Sequence, residues 1–414
     1  MKGLISFCVY GDSIKYIIGL YDNITVAQHV YPGWDIRVYV PSCSYLKDKI
    51  KERFPWVDVV VKEPIVAIHA RLWRFESMWD NSYTHVIVRD ADSILTAREA
   101  ALVSQWVNSG KSMHVIYDHP HHNAPMLSGM IGAKTSDMVR FADQCKDWYA
   151  NQGDDTQFLA TCVYPQVESV LTHTSVENQF AKGDIFSIDQ VDGFIGKPRT
   201  PDVFKYLTKF FVLNPDKYKK RYERFLKEVE KSTILSNMEC VRFRGRTLQE
   251  DIPPYWANQR LPHYWLATQD HKQILREALL RNDDLTLVFE DDATLCDGFD
   301  EKLVKFIEDA DHCMYSGKTF SRWTSLMLGG SPMGTMYCHM ERVTNEIQRS
   351  VGTYGMQSVL YNYAGIHGFY GYSLRNNHEN VDVAFAGYQR DCKSVYAPNQ
   401  WLVDQTGPQE GTDE

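Results

Sequence analysis

Two stretches of this 414-residue chain run an apolar, β-branched segment straight into carboxylates. The first is Thr84-His85-Val86-Ile87-Val88-Arg89-Asp90-Ala91-Asp92-Ser93, and the second is Leu285-Thr286-Leu287-Val288-Phe289-Glu290-Asp291-Asp292. Carboxylates this close at a strand end can share a divalent cation, a hard ion that prefers oxygen ligands and can bridge to a diphosphate. The apolar runs have the length and composition of buried strands in a mostly parallel sheet. Ligands of such sheets sit beyond the carboxyl ends of the strands, where these acids fall. A structural role competes for each cluster taken alone, because Asp favours turns and caps the helix that follows. The repetition of the arrangement points to two units in tandem.

The elements that must position these acids alternate along the first half. Strands are expected at Ile5–Val9, Ile36–Val40, Val57–Val61 and Met113–Tyr117, with helices before Val30, around Trp73–Trp79 and over Arg98–Val107. This rhythm predicts an α/β fold, two tandem Rossmann-like domains each built on a mostly parallel sheet. It breaks at Gly196-Lys197-Pro198-Arg199-Thr200-Pro201, a linker by its prolines and polar residues. It restarts with a strand at Phe210–Leu213, with Asn214 as N-cap and Pro215 opening a basic helix. The expected organisation is therefore one domain over 1–200, a second over 205–405, and a disordered polar tail over 406–414.

Composition narrows the class of protein. With 44% apolar and 13% aromatic residues the chain is globular, and its length suits two or three domains at about 150 residues each. The net charge of −9, from 53 acids against 44 bases, disfavours a general polyanion binder. The run Lys217, Lys219, Lys220, Arg221, Arg224 and Lys227 reads as the solvated face of a helix. Nine scattered cysteines fit reduced, buried thiols rather than a disulfide framework. No apolar run approaches the roughly 20 residues of a membrane span, and the expected location is the cytosol, that of the host if the source is viral.

From about Phe210 to Gln405 the chain resembles the lipopolysaccharide-type glycosyltransferases, the family that also contains the collagen galactosyltransferases. The resemblance rests on Phe211–Phe225, His271, Val288-Phe289-Glu290-Asp291-Asp292, Leu328-Gly329-Gly330, His367–Tyr370, Asp382, Tyr396-Ala397-Pro398 and Gln405. It departs from the family at Gln269-Asp270, where a Gly-Cys pair is usual. Residues 3–196 resemble GT-A-type proteins of phages, large viruses and bacteria, through Tyr31-Pro32-Gly33-Trp34, Trp73-Arg74-Phe75, Arg89-Asp90-Ala91-Asp92-Ser93, Arg98-Glu99 and Asp118-His119-Pro120-His121-His122.

These resemblances imply two tandem GT-A-like domains and a glycosyltransferase that uses a nucleotide-diphospho-sugar, UDP-sugar being the leading donor, with Mn²⁺ or Mg²⁺. In that reading Asp92 and Asp90 serve the cation and donor, joined by Asp292, with Glu290, Asp291 and His271 at the donor in the second half. His173 would complete the metal site and tilt it towards Mn²⁺. Arg89, Lys134 or Lys197 would face the diphosphate, and Asp154 or Asp155 would be the general base of an inverting reaction. The complete Asp-x-Asp set places the chemistry in the first half. Competing roles stand beside these: an N-cap for Asp154 and Asp155, a hydrogen-bonded loop position for His173, a plain linker for Lys197. The His119-His121-His122 group reads as a donor- or acceptor-binding loop. The acceptor is open between a hydroxymethylated base in DNA and a glycan or protein hydroxyl. The rival classes are metal-dependent phosphoryl or nucleotidyl transfer and a binding protein with one or both sites inactive.

Overall fold

The structure is a computed structural model that describes residues 2–11, 13–63, 67–151, 154–191, 193–198, 202–245, 262–313 and 323–405. The expected disordered tail and residues 199–201 of the expected linker lie outside these. The chain divides into two compact units, residues 1–11 with 15–201 and residues 12–14 with 202–414.

In the first unit, β1 (Gly3–Cys8), β2 (Asp35–Pro41), β3 (Asp58–Lys62), β4 (His85–Arg89), β5 (Met113–Tyr117), β6 (Met130–Lys134), β7 (Val170–Thr174) and β8 (Asp184–Ser187) form one sheet. Their order is β3-β2-β1-β4-β6-β5-β7-β8. All neighbours are parallel except β6, which runs antiparallel to both β4 and β5. The acid-tipped β4 is thus the last strand of one parallel block, next to the inverted strand.

The second unit contains β9 (Lys209–Leu213), β10 (Glu239–Phe243), β11 (Leu285–Glu290), β12 (Ala293–Leu295), β13 (Ser325–Gly329), β14 (Met340–Arg342), β15 (Ile347–Ser350), β16 (Ser358–Asn362), β17 (Val395–Pro398) and β18 (Val403–Gln405). Its main sheet is ordered β10-β9-β11-β16-β13-β17-β15-β14, and β12 pairs with β18 apart from it. Here β9 is parallel to β10 and β11, β13 is parallel to β17, and β16 is antiparallel to both neighbours. The core of the first sheet is repeated strand for strand: β2, β1, β4, β6, β5 and β7 correspond to β10, β9, β11, β16, β13 and β17. The outer strands differ, since β8 joins in parallel while β15 and β14 join antiparallel. This is the α/β architecture of tandem Rossmann-like units that the strand rhythm predicts.

The period of two along each strand sorts residues between the two faces of the sheet. Val86 and Val88 of β4, Met113, Val115 and Tyr117 of β5, and Ile131 and Ala133 of β6 enter one core with Leu72, Phe75 and Phe158. The other face is covered by the helix Ala97–Ser109, whose Trp106 lies against β6. A Cβ at Gly132 would stand 2.7 Å from the Trp106 ring, so a strand glycine makes room for the indole. In the second unit the helices Pro262–Leu280, Tyr363–Arg375 and Val381–Cys392 supply Ile274, Ile366, Phe369 and Phe385 to a core with Val288 and Val359.

The acid turn after β4 is fixed from the helix Ile14–Val30. Asn23 donates to the Ala91 carbonyl at 3.0 Å and accepts from the Leu95 N–H at 2.9 Å. Gly19 lets the helix approach closely, since a Cβ there would lie 2.4 Å from the Ala91 carbonyl oxygen. Backbone cannot yield as a side-chain tip does. Gly19→Ala is therefore expected to destabilise the first unit by about 2 kcal/mol, within the usual range for overpacking, measured as a lower urea midpoint at unchanged slope.

Candidate active site

In the first unit, Asp90 and Asp92 follow β4, and the Ser93 N–H closes the turn onto the Asp90 carbonyl at 3.3 Å. Each carboxylate already has its own cation. Lys15, in the first turn of the helix Ile14–Val30, reaches Asp92 at 2.7 Å. Arg74, on the 3₁₀ segment Ala67–Trp79 that leads into β4, pairs with Asp90. The same guanidinium reaches Asp155 at 2.8 Å, Ser128 Oγ at 3.0 Å and the Arg89 carbonyl at 3.0 Å. Burial works to raise the Asp155 pKa, and the Arg74 charge and hydrogen bond reverse it, holding the carboxyl below its ordinary value. A Cβ at Gly129 would sit 2.0 Å from Asp90 Oδ2, so the glycine before β6 gives the carboxylate its space.

A second loop pair borders this group. Asp118, just past β5, accepts from the Ile195 N–H at 2.7 Å and pairs with Arg98. Ser93 Oγ donates to the Gly196 carbonyl at 2.9 Å, and Ser93 bridges to Pro198. The segment Gly193–Pro198, with Lys197, is thereby held beside the Asp90–Asp92 turn. Phe194 lies 4.3 Å from the His119 ring, centroid to centroid, which places the histidine loop against the same segment.

Other expected site residues lie elsewhere. Arg89 alternates away from the acids onto the face under the helix Ala97–Ser109, where Glu99 neutralises it and the Val88 and Ile131 carbonyls take its Nη1. Lys134 pairs in register with His85, at the amino end of β4 opposite the acids, and lies 3.9 Å from Asp137. Asp154 caps the short helix Asp155–Phe158 by accepting from the Gln157 N–H at 2.7 Å. His173 is fully buried on β7. Its Nδ1 shares a proton with His114 Nε2 at 2.8 Å and its Nε2 meets Gln105 Oε1 at 3.0 Å, so neither nitrogen is left to ligate a cation.

In the second unit, Glu290 ends β11 and Asp291 and Asp292 follow it. Asn214 donates to Asp291 at 2.6 Å, and Arg221 reaches Asp291 at 3.2 Å and Asp292 at 4.0 Å. Gln405, on β18, donates to Asp292 at 2.7 Å. One guanidinium therefore serves two carboxylates. Glu290, whose side chain keeps 28% of its surface, has no Lys or Arg partner among the described residues, and His271 Nε2 stands 3.8 Å from its Oε1. Burial, then the Asp292 and Asp291 charges, push the Glu290 pKa up to about 8. Asp382, in the first turn of the helix Val381–Cys392, is raised to about 6 by burial and by Glu290, with His271 acting the other way. Burial lowers His271 to about 4. Among the described residues, no three His, Cys, Asp or Glu side chains converge as a ready-made metal cage.

The sequence missed the cations that neutralise the first pair. Arg74 sits in an apolar, tryptophan-rich segment, and an arginine there has to be buried against an acid. Arg221 belongs to the run taken as a solvated face, and Asn214 buttresses Asp291 instead of capping a helix. The chain instead makes a 3₁₀ turn, Asp216–Tyr218, before the helix Lys219–Val229.

No family model and no curated sequence matches the chain. Among solved structures it is similar to S. aureus TarS, residues 1–349, at 14% identity and a TM-score of 0.32 over 41% of this chain and 57% of that one. It is similar to a glycosyltransferase involved in glycosylation of the major capsid of PBCV-1 at 10% identity and a TM-score of 0.29, over 45% of this chain and 81% of that one. It is also similar to a 4-diphosphocytidyl-2C-methyl-D-erythritol synthase of Anaerococcus prevotii at 9% identity and a TM-score of 0.32, over 50% and 93% of the two chains. Likenesses this remote fix neither substrate nor activity.

The buried His114–His173 pair sets a pH dependence of stability. Burial holds His173 at about 4 and His114 well below its ordinary value, whereas both titrate near ~6.5 when unfolded. Between those limits the unfolded chain binds more protons, so stability is full above about pH 6.5 and falls as pH drops towards 4. His173→Gln should flatten the decline in urea stability between pH 7 and pH 5 without removing it, because His122 and His271 are lowered in the same way.

Proposed function

We propose that this protein is a divalent-cation-dependent transferase that moves a sugar from a nucleotide-diphospho-sugar to an acceptor hydroxyl. The observation that carries this reading is the repeated placement of paired acids at the carboxyl end of the strand beside the inverted one, Asp90–Asp92 after β4 and Glu290–Asp292 at β11. Ligands of open α/β sheets bind at such a switch point. The donor set of the second unit suits a hard dication, because Asp291 and Asp292 offer hard oxygen ligands side by side and, among the described residues, share Arg221. In the first unit Lys15 and Arg74 already occupy the two carboxylates.

Asp292 would hold the cation, a group that, when bound, offsets charge building on the departing diphosphate. Arg221 adds a fixed positive charge beside the same oxygens. Asn214 and Gln405 orient the Asp291 and Asp292 carboxylates by direct hydrogen bonds, so that both keep one geometry through the reaction. In the first unit, Lys197 lies on the segment held by Ser93 and Asp118 and would supply a positive charge to a phosphate bound there. A glycan or protein hydroxyl is favoured as acceptor over a DNA base by the net charge of −9.

The full chain incubated with Mn²⁺ and a panel of UDP-, GDP- and CMP-sugars should hydrolyse one donor slowly without acceptor. EDTA should stop this reaction, and Asp292→Ala should lower kcat/KM by about 100-fold or more, as loss of a charge-stabilising group does. Absence of turnover with every donor, or undiminished turnover in EDTA, would refute the reading.

A further inference from the structure

The shared strand order matches the two units element by element. In the first, the segment leading into β4 carries Arg74, the strand end carries Asp90, and one of the short helices between β6 and β7 opens with Asp155. In the second, the helix leading into β11 carries His271, the strand end carries Glu290, and the second of the two helices between β16 and β17 has Asp382 in its first turn. Arg74–Asp90–Asp155 and His271–Glu290–Asp382 occupy the same three places in the fold. They differ chiefly in the group that precedes the strand, Arg74 against His271.

That difference decides what each carboxylate can do. Arg74 cannot lose its charge, and it binds Asp90 and Asp155 directly while burying itself between them. A carboxylate in such a pair is a poor proton acceptor, because the guanidinium favours its ionised form. His271 makes no such clamp. It is 3% exposed, its Nε2 has no hydrogen-bond partner among the described residues, and it stands 3.8 Å from Glu290. Asp382 Oδ1 likewise has no hydrogen-bond partner among the described residues.

Resting on the transferase reading, we propose that the second unit performs the transfer, with Asp382 as the base for the acceptor hydroxyl and His271 as the positioning residue that replaces the arginine clamp. The acceptor oxygen forms its bond to the anomeric carbon as its proton passes to the Asp382 carboxylate. The bond from that carbon to the diphosphate oxygen breaks, and its electron pair leaves with the nucleoside diphosphate. Asp155, its counterpart, remains a structural anion. The groups that act on Asp382 are Glu290 from β11, His271 from the helix Pro262–Leu280 and the Gly355 N–H, while Tyr361 of β16 feels its charge and Asp270 lies beside His271. A carboxyl held near neutrality by such surroundings suits proton abstraction.

The test measures kcat, KM and their pH profiles in the full chain, with Mn²⁺ and whichever sugar nucleotide of the panel the wild type turns over. Asp382→Asn should lower kcat by at least about 100-fold with donor KM unchanged, and Asp382→Glu should restore part of it. The wild-type profile should show an acid limb near pH 6, where Asp382 ionises. His271→Arg, which rebuilds the first unit's clamp, should move that limb to lower pH and reduce kcat. Thermal melts of each variant by circular dichroism confirm that folded protein is assayed. Wild-type kcat in Asp382→Asn, or an acid limb unmoved by His271→Arg, overturns the assignment while leaving the transferase reading intact. A wild type that turns over no donor removes both.

Discussion

A single buried guanidinium organises the carboxyl face of the first unit. Arg74 joins the end of β4, through Asp90 and the Arg89 carbonyl, to the start of the helix at Asp155 and to Ser128 before β6. Taking such a charge out of water is costly, and the cost is offset only when several oriented acceptors surround it. Removing one partner from a buried pair of this kind typically costs about 3–5 kcal/mol. The loops that meet at Arg74 are therefore held together by one ion.

Among the described residues the second unit has no equivalent ion, although it repeats the same strand order. Its acids are supported by neutral amides, Asn214 and Gln405, and by one shared arginine. Neutral donors fix geometry without cancelling charge. Two copies of one scaffold thus support their acids differently, one by dedicated ion pairs and one by amide hydrogen bonds and a shared arginine.

Strand rhythm and apolar content made the α/β class and the two acid-tipped strands legible in the sequence. Met113–Tyr117 forms over the residues expected, and β4 and β11 lie within a residue or two of their expected limits. Strand β6 escaped notice because Met-Ile-Gly-Ala-Lys is short and contains a glycine, and only its two neighbours make it a strand. Side-chain partnerships were less legible, because they join residues far apart in the chain. Arg74 and Asp155 are 81 positions apart, and Asn214 and Asp291 are 77. His173 looked like a ligand by residue type, yet a histidine on an interior strand satisfies both nitrogens against neighbouring strands and helices. Arg89 and Lys134 carry the charge a diphosphate needs, but strand alternation and strand direction decide where each side chain lies.

The indole of Trp106 resting on Gly132 has a consequence for how β6 is aligned. In an inverted strand with partners on both sides, a slip of one residue would turn Ile131 or Ala133 outward, and a slip of two would bring Met130 or Lys134 under the ring. Each of these carries a side chain into space that the indole fills. Trp106 and Gly132 together act as a key and keyhole that admit one alignment, which seats Arg89 opposite Met130 and so brings Gly129 alongside Asp90. The spacing of the acid turn is indexed from the middle of the sheet, by a contact that carries no charge at all.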